Sequence, residues 1–306
     1  MTQFKTSALV LFAFFLPACG SDSEIVTDPG PDASEGGLDA SGSDAGPDAP
    51  TDASTDASTD ARQDTDAEPD AAQEAGAYQA PVSLGASSPF AILASAQVTN
   101  IPTSRITGHV GLTPDTGANI SGFAAPMTCP EVTGHVYAVD ATGPACALID
   151  PVLLASAKSD AASAFLDARA AVRGTPVSIS GDLNGLTLYA GLYESLTSVE
   201  ISAGGTLYLD AQGDANAVFI LRSETSITTE AASQVVLAGG AKAANVYWTA
   251  GSSVTLGTTS IMKGTLMAGT SISLLTGANL EGRALNQGAA AEAVTLDQST
   301  ITVPSP

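Results

Sequence analysis

The chain has 306 residues, a formal net charge of −22 and three cysteines. This length allows one or two domains. Such an acidic chain lacks the basic face that binds nucleic acid, so we expect no nucleic acid among its partners.

The N-terminus has the features of an export signal. Lys5 supplies positive charge, and residues 8–15 form an apolar run too short to span a membrane as a mature helix. The sequence Leu-Pro-Ala-Cys-Gly that follows resembles the lipobox of bacterial lipoproteins, whose cysteine is acylated after cleavage. The resemblance implies a signal peptide over residues 1–18 and a lipid anchor on Cys19, at the outer membrane or cell surface. The alternative is a secreted protein with an ordinary signal cut after Ala18.

Residues 19–80 differ in composition from the rest of the chain. From residue 20 onward this segment holds sixteen acidic residues and one base, Arg62, which gives it a net charge of −15. It has few apolar side chains to bury, and its like charges repel one another. We therefore expect a disordered acidic tether rich in Asp, Ala, Ser, Thr and Pro.

Residues 81–306 are long enough to bury one good core. Residues 84–99 and 106–122 predict short alternating strands that are broken by Gly and Pro. Cys129 and Cys146 lie 17 positions apart in a stretch rich in turn formers. In an oxidising compartment this pair predicts a disulfide. A metal site is disfavoured because His109 and His135 lack a ligand-like spacing to these cysteines.

One segment of this domain has a helical period. Asp150 is suited to cap a helix and Pro151 to begin it, and apolar residues then recur at spacings of three and four. Gly174 and Pro176 end the pattern. The sequence predicts one long helix at about residues 151–172, with an inward face formed by Leu154, Ala157, Ala161, Phe165 and Ala168.

Residues 246–282 contain two copies of one unit. The first reads VYWTAGSSVTLGTTSIMKG and the second TLMAGTSISLLTGANLEG. Weaker copies occupy residues 218–229 and 283–302. Apolar residues alternate with Ser and Thr, so each strand has one apolar and one hydroxylated side. A short repeat of this kind is typical of a β-solenoid, with four side chains pointing inward: Ile227, Val254, Ile272 and Val294.

Several motifs together resemble one family. LGASSPFAILA, TGHVGLTP, TGANISGF, GDLNGLTLYAGLYES, TLYLDAQGDANAVFIL and QVVLAGGAKAANVYW occur in this order between residues 82 and 303. They are similar to the bacterial and fungal ice-binding proteins of the DUF3494 type. The resemblance implies a mostly β protein, a right-handed discontinuous β-solenoid of triangular cross-section with one long α-helix packed alongside. It also implies adsorption to ice through one flat face.

Two sets of residues are candidates for that face. The resemblance favours the motif Thr-Ala/Gly-x-Thr/Asn, which is intact at residues 116–119 and 276–279 and degraded at residues 258–261 and 298–301. These positions predict an exposed, uncharged strip formed by Thr116, Ala118, Asn119, Thr258, Ser260, Thr276, Ala278, Asn279 and Thr300. The second candidate is the regular hydroxyl ladder beside the inward residues, formed by Ser226, Thr228, Ser253, Thr255, Ser271, Ser273 and Thr295.

The physical case for ice rests on regularity. Stacked strands repeat at about 4.7–4.9 Å, and a rigid rank of Thr and small residues can hold water in lattice-like positions. The sequence has no serine-hydrolase elbow, zinc-protease motif or phosphate loop, so we expect a protein that is not an enzyme and has no cofactor or metal. We also expect a monomer. The alternative hypothesis is a surface adhesin or structural lipoprotein that uses the solenoid to bind glycan or another cell.

Overall fold

The strands follow from the alternation of apolar and hydroxylated residues, interrupted by glycine. The computed structural model describes residues 78–287 and 293–305. Predictions for Cys19 and for residues 1–77 therefore lie outside the described residues. The described strands are, in chain order, β1 (Phe90–Ala94), β2 (Gln97–Ile101), β3 (Arg105–Thr107), β4 (His109–Leu112), β5 (Ile120–Ser121), β6 (Val132–Thr133), β7 (Val136–Ala138), β8 (Leu148–Ile149), β9 (Val177–Ser178), β10 (Gly181–Asp182), β11 (Thr187–Tyr189), β12 (Gly191–Ser195), β13 (Val199–Ile201), β14 (Thr206–Asp210), β15 (Phe219–Ser223), β16 (Ile227–Thr229), β17 (Gln234–Ala238), β18 (Val246–Ala250), β19 (Val254–Leu256), β20 (Ile261–Ala268), β21 (Ile272–Leu274), β22 (Asn279–Asn286), β23 (Ala293–Asp297) and β24 (Thr300–Thr302).

Helical structure in the described residues is limited to one α-helix and four short 3₁₀ turns. The helix is α1 (Pro151–Ala168), and the turns span Gly85–Ser87, Gly117–Asn119, Ala171–Arg173 and Ala243–Asn245. No helix in this part of the chain is long and apolar enough to cross a membrane.

Successive coils pair strand by strand in parallel and produce three faces. An eight-stranded sheet in the order β10-β13-β16-β19-β21-β23-β2-β5 forms the first, which we call the hydroxyl face. A sixteen-stranded sheet supplies the other two. The helix-covered face has the order β8-β7-β4-β1-β22-β20-β18-β15-β12-β9. The mixed face runs β11-β14-β17-β20-β22-β24-β3-β6.

β20 and β22 belong to two faces because each bends at a glycine. Gly264, with φ +107°, separates Ile261–Lys263 on the mixed face from Thr265–Ala268 on the helix-covered face. Its neighbour in the next coil is Gly282, where an added Cβ would lie 1.8 Å from the Gly264 carbonyl oxygen. Only glycine permits two strands to stack this closely at the bend.

The stack is discontinuous in sequence. Strands β1 to β8 build the coils at one end, and the chain then continues through α1 to β9, at the other end of the helix-covered face. From β9 the coils return towards the first group, until β23 pairs with β2 and β24 pairs with β3. The predicted discontinuous β-solenoid is confirmed.

The helix begins as predicted and ends early. The Asp150 carboxylate accepts a hydrogen bond of 2.9 Å from the Leu153 amide, and Pro151 is the first helical residue. The predicted end near residue 172 is wrong by four residues, because the backbone at Ala170 is extended, with φ −67° and ψ 140°. The buried side chains are those of Leu154, Ala157, Ala161, Ala164 and Ala168. Phe165, which we expected on this face, is only half-buried.

Two hydrophobic clusters form the interior. The first fills the inside of the coils and includes the four predicted inward residues, each at most 2% exposed. The second lies between α1 and the helix-covered face, where the alanines of the helix pack on Leu192, Ile220, Tyr247, Met267 and Leu285. The helix thus covers this face, which leaves the hydroxyl and mixed faces in contact with solvent.

The predicted disulfide is present. Cys129 and Cys146 are bonded, with their Cα atoms 5.9 Å apart, in the segment between β5 and β8. Neither cysteine belongs to a strand of the hydroxyl face.

At the N-terminal margin of the domain, Gln79 is buried and its side-chain amide donates to the Arg173 carbonyl oxygen at 3.1 Å. Gln79, two residues before the predicted start at residue 81, thus already contacts the folded domain.

Candidate functional site

The hydroxyl face is built on a continuous inward row. Val199, Ile227, Val254, Ile272, Val294, Val98 and Ile120 are register partners on seven neighbouring strands. All of them are buried. Because side chains alternate along a strand, the residues before and after each of these point outward.

Two outward rows flank that inward row. The first row is Ser198, Ser226, Ser253, Ser271, Ala293, Gln97 and Asn119. The second row is Glu200, Thr228, Thr255, Ser273, Thr295, Thr99 and Ser121. The Ser and Thr side chains at the centre of both rows are half-buried. The second candidate ladder of the sequence analysis therefore lies on one surface, at the regular spacing of neighbouring strands.

Sequence reasoning missed part of this surface. β2 and β5 extend both rows by two strands. Residues 97–100 on β2 read Q-V-T-N, which resembles the S-V-T-L of residues 253–256 and is a sequence signal for this part of the face. A third row follows the corner before the first row. It consists of Thr225, Ser252 and Thr270, which are exposed and joined by backbone hydrogen bonds of 2.7 and 2.8 Å.

Charge is confined to the margins of the hydroxyl face. From β16 to β5 the two described outward rows contain no charged side chain. Beyond β16, Glu200 lies on β13 and Asp182 on β10. Along one edge, Glu230 and Asp297 each follow the last inward residue of their strand. The uncharged area is therefore six strands wide.

The mixed face has the same strand spacing but a different surface. Lys263 and Glu281 lie side by side on β20 and β22 and form an ion pair of 2.7 Å. Tyr208 on β14 and Ile261 on β20 are exposed at 41% and 39%. Arg105 is also exposed, on β3. Side chains of such different length and charge do not form regular rows.

The favoured strip of the sequence analysis is not one surface. Residues 258–260 and 276–278 form corners between the hydroxyl and mixed faces, and Asn279 and Thr300 lie beyond them as neighbours on the mixed face. Thr258 and Thr276 are exposed, as expected. Ser260 and Ala278 are fully buried, so the prediction that they are exposed is wrong. The corner turns them into the core, where the Ser260 hydroxyl accepts from Thr229 at 3.1 Å.

The other intact copy lies at a different corner, immediately before β5 of the hydroxyl face. The Thr116 hydroxyl donates to the Asp140 carboxylate at 2.8 Å, and the Gly117 amide donates to it at 3.1 Å. Hydrogen bonds, first of all from the Thr142 hydroxyl, lower the pKa of Asp140 to about 2. The Asn119 side-chain Nδ2 donates to the Asp115 carboxylate at 3.0 Å, and Ala118 is exposed. Thr116 is therefore held in a turn.

Metal-binding groups are sparse in the described residues. Within residues 78–287 and 293–305, no three His, Cys, Asp or Glu side chains are close enough to share a metal ion. The rings of His109 on β4 and His135, between β6 and β7, stack at 5.4 Å, and the His135 backbone amide donates to His109 Nδ1 at 3.1 Å. Burial and then the neighbouring His135 charge lower the pKa of His109.

Comparison with known proteins identifies the family. The profile of the Ice-binding-like family matches residues 92–302, from β1 to β24. The chain belongs to this family. An ice-binding protein of Flavobacterium frigoris is 35% identical over 224 residues, which cover 73% of this chain and 76% of the relative.

Solved structures of the Ice-binding-like family agree with this assignment. The crystal structure of an ice-binding protein from an Antarctic biological consortium is 38% identical, with a TM-score of 0.63, over 74% of this chain and 93% of that one. The DUF3494 domain of an ice-binding protein from Shewanella frigidimarina is 27% identical, with a TM-score of 0.68, over 75% of this chain and 100% of that one. The predicted DUF3494-type resemblance is confirmed.

Proposed function

We propose that the protein binds ice through the hydroxyl face. The observation that carries this proposal is the pair of uncharged outward rows that continue in register across six strands. Membership of a family whose relatives are named ice-binding proteins supports it. The proposal moves the site from the motif strip that the sequence favoured to the second candidate ladder, extended by β2 and β5.

The geometry suits an ordered lattice of water. Neighbouring strands place equivalent side chains about 4.7–4.9 Å apart, and the two rows are about 6.6 Å apart because they are separated by two residues. Each hydroxyl anchors a water molecule, and each Thr methyl orders its neighbours. The side chains at the centre of the rows are half-buried already, so little rotamer entropy is lost on binding. Binding is a sum of weak contacts over the whole area.

The corners contribute less to this function. Thr258 and Thr276 border the hydroxyl face, but Asn279 and Thr300 belong to the face that carries the Lys263–Glu281 pair. A charged pair holds its own hydration water, which interrupts a lattice. Adsorption involves no bond making or breaking, in agreement with a family of non-enzymatic antifreeze proteins.

The direct test is inhibition of ice recrystallisation. A thin polycrystalline film containing the purified chain at micromolar concentration is held just below melting and photographed over time. We expect the grains to stay small, whereas they coarsen in buffer and in an equal concentration of serum albumin. Coarsening at the buffer rate would contradict ice binding and favour the alternative of a glycan-binding or cell-binding adhesin.

We further infer that the protein acts as a monomer outside the cell, tethered at its surface by lipid on Cys19. The lipobox-like sequence and the acidic composition of residues 19–80 support this. A flexible chain of about 60 residues has an average reach of about 40 Å, and charge repulsion extends it. Changing Cys19→Ala is expected to move the protein from the membrane fraction to the soluble fraction. Retention in membranes would refute a lipid anchor at this residue.

A further inference from the structure

The backbone of the hydroxyl face continues beyond its uncharged area. β13 pairs in register with β16, so Val199 lies beside Ile227 and Glu200 beside Thr228. Val199 and Ile201 are each 2% exposed, like the inward residues of the other strands. The outward residue of the first row on β13 is Ser198, as on the neighbouring strands. Only the second-row position differs, because Glu200 replaces the Thr or Ser found there on the next six strands.

The fold does not use the Glu200 carboxylate. Glu200 is exposed, and no hydrogen bond or ion pair joins its carboxylate to another described residue. Asp182, on the strand beyond, is different. Its carboxylate accepts hydrogen bonds from the Asn184 amide at 2.9 Å and the Ser202 amide at 3.0 Å, so it holds the last coil together. Glu200 is thus a charge in a regular row without a structural partner.

We propose that Glu200 sets the boundary of the ice-binding area. This inference rests on the proposed function of the hydroxyl face. A carboxylate orders water around its charge rather than in a lattice, and stripping that water is costly. Because Glu200 lies one strand from Thr228, its hydration shell prevents lattice-like water from extending past β16. The usable width is six strands, although the scaffold offers a seventh.

The test replaces the charge with the residue that continues the row. Glu200→Thr matches Thr228 and Thr255, and Thr is well suited to a strand. Glu200→Gln keeps the side-chain length and removes only the charge. The matched control is Asp214→Asn in the loop between β14 and β15, away from the hydroxyl face. Asp214→Asn makes the same change in net charge as the Glu200 variants. The new side-chain carbonyl oxygen can still accept the hydrogen bond that the Asn216 backbone amide donates to Asp214 at 2.8 Å.

The readouts are the protein concentration that half-inhibits recrystallisation and the melting temperature, both on the full mature chain. We expect Glu200→Thr to lower that concentration about twofold, an effect of roughly 0.4 kcal/mol. Glu200→Gln should act in the same direction, and Asp214→Asn should match wild type.

An increase in potency in either Glu200 variant that is absent from Asp214→Asn supports the inference. If wild type inhibits recrystallisation and both Glu200 variants only match it or weaken it, Glu200 does not set the boundary, and ice binding itself stands. If neither wild type nor any variant is active, the proposed function fails together with the inference.

Discussion

The hydroxyl face and the mixed face are built by the same coils. Both consist of parallel strands with buried aliphatic residues beneath them, and both have the same spacing. They differ in what points outward. The hydroxyl face presents two uncharged rows that are mostly Ser and Thr, whereas the mixed face presents Tyr208, Ile261 and the Lys263–Glu281 pair. The scaffold therefore supplies periodicity to both surfaces, and only the outward side chains decide whether that periodicity can match a lattice.

The largest expected effect on ice activity comes from a charge at the centre of the hydroxyl face. Ser271→Arg should raise the concentration for half-inhibition of recrystallisation at least about tenfold, since desolvating a guanidinium exceeds about 1.4 kcal/mol. The free energy of unfolding should change by less than about 0.5 kcal/mol, because the side chain at position 271 points outward. Ice recrystallisation and thermal unfolding measure the two effects.

The matched control is Thr276→Arg, at the corner. Its hydroxyl donates to Asp297, and that carboxylate can pair with the new guanidinium beside the face. We expect at most about a twofold loss of activity, equivalent to roughly 0.4 kcal/mol. If the motif strip were the ice-binding surface, Thr276→Arg would lose more ice activity than Ser271→Arg. If Thr276→Arg abolishes activity and Ser271→Arg does not, the hydroxyl face is the wrong surface.

The second prediction separates stability from surface chemistry. Reducing the Cys129–Cys146 bond opens a loop with a sequence separation of 17. The expected loss is about 3 kcal/mol, or roughly 6–12 °C in melting temperature. Because neither cysteine lies on the hydroxyl face, ice activity measured well below that temperature should be unchanged. Calorimetry with and without reductant, followed by the film assay, tests both statements. Equal loss of stability and activity would place the loop in the binding surface.

The third prediction concerns the mixed face. Lys263 and Glu281 are partly exposed, so replacing both with Thr should cost at most about 1 kcal/mol. The double variant makes the centre of this face neutral. We nevertheless expect ice activity equal to wild type, because Tyr208 and Ile261 still interrupt the rows. A clear gain in activity would show that charge alone distinguishes the two faces.

The smallest expected effect is a dependence on pH. Burial lowers the pKa of His109, so the unfolded chain binds more protons at this residue. Stability should therefore fall slightly as pH falls below the ordinary value of about 6.5, and be constant above it. Between β16 and β5 the outward rows hold no titratable group, so ice activity should not change from pH 8 to pH 5. His109→Gln should remove the contribution of His109 to the change in melting temperature with pH. If the melting temperature of this variant depends on pH as strongly as that of wild type, another group causes the change.

The sequence correctly predicts the direction of side chains where its period is constant. Within strands, alternation correctly predicts that Ile227, Val254, Ile272 and Val294 point inward. Asp150 and Pro151 likewise predict the start of α1 from local chemistry alone. The same alternation fails at the corners, where Thr259 and Gly277 have φ of +56° and +72°. A left-handed residue reverses the alternation, so Ser260 and Ala278 enter the core instead of the surface.

The pairing of distant segments could not be read from the sequence either. The Q-V-T-N pattern marks β2 as a similar strand, but nothing local indicates that β2 lies beside β23, so local patterns do not give the extent of the hydroxyl face. The resemblance predicted a discontinuous stack, but the register that joins Thr99 to Thr295 is visible only in the structure. The proposed ice-binding area therefore combines the repeated strands, which the sequence shows, with the junction between β23 and β2, which only the structure shows.

That junction has a consequence for how the protein is made. Val98 and Val294 are neighbours, although almost the whole domain separates them in sequence. During synthesis the coils of β1 to β8 appear first, and their partner strands β23 and β24 appear last. A high contact order of this kind is associated with slow folding. The continuous ice-binding surface thus comes into existence only when the final coil closes, so a chain shortened before β23 would carry two half-surfaces and no complete one.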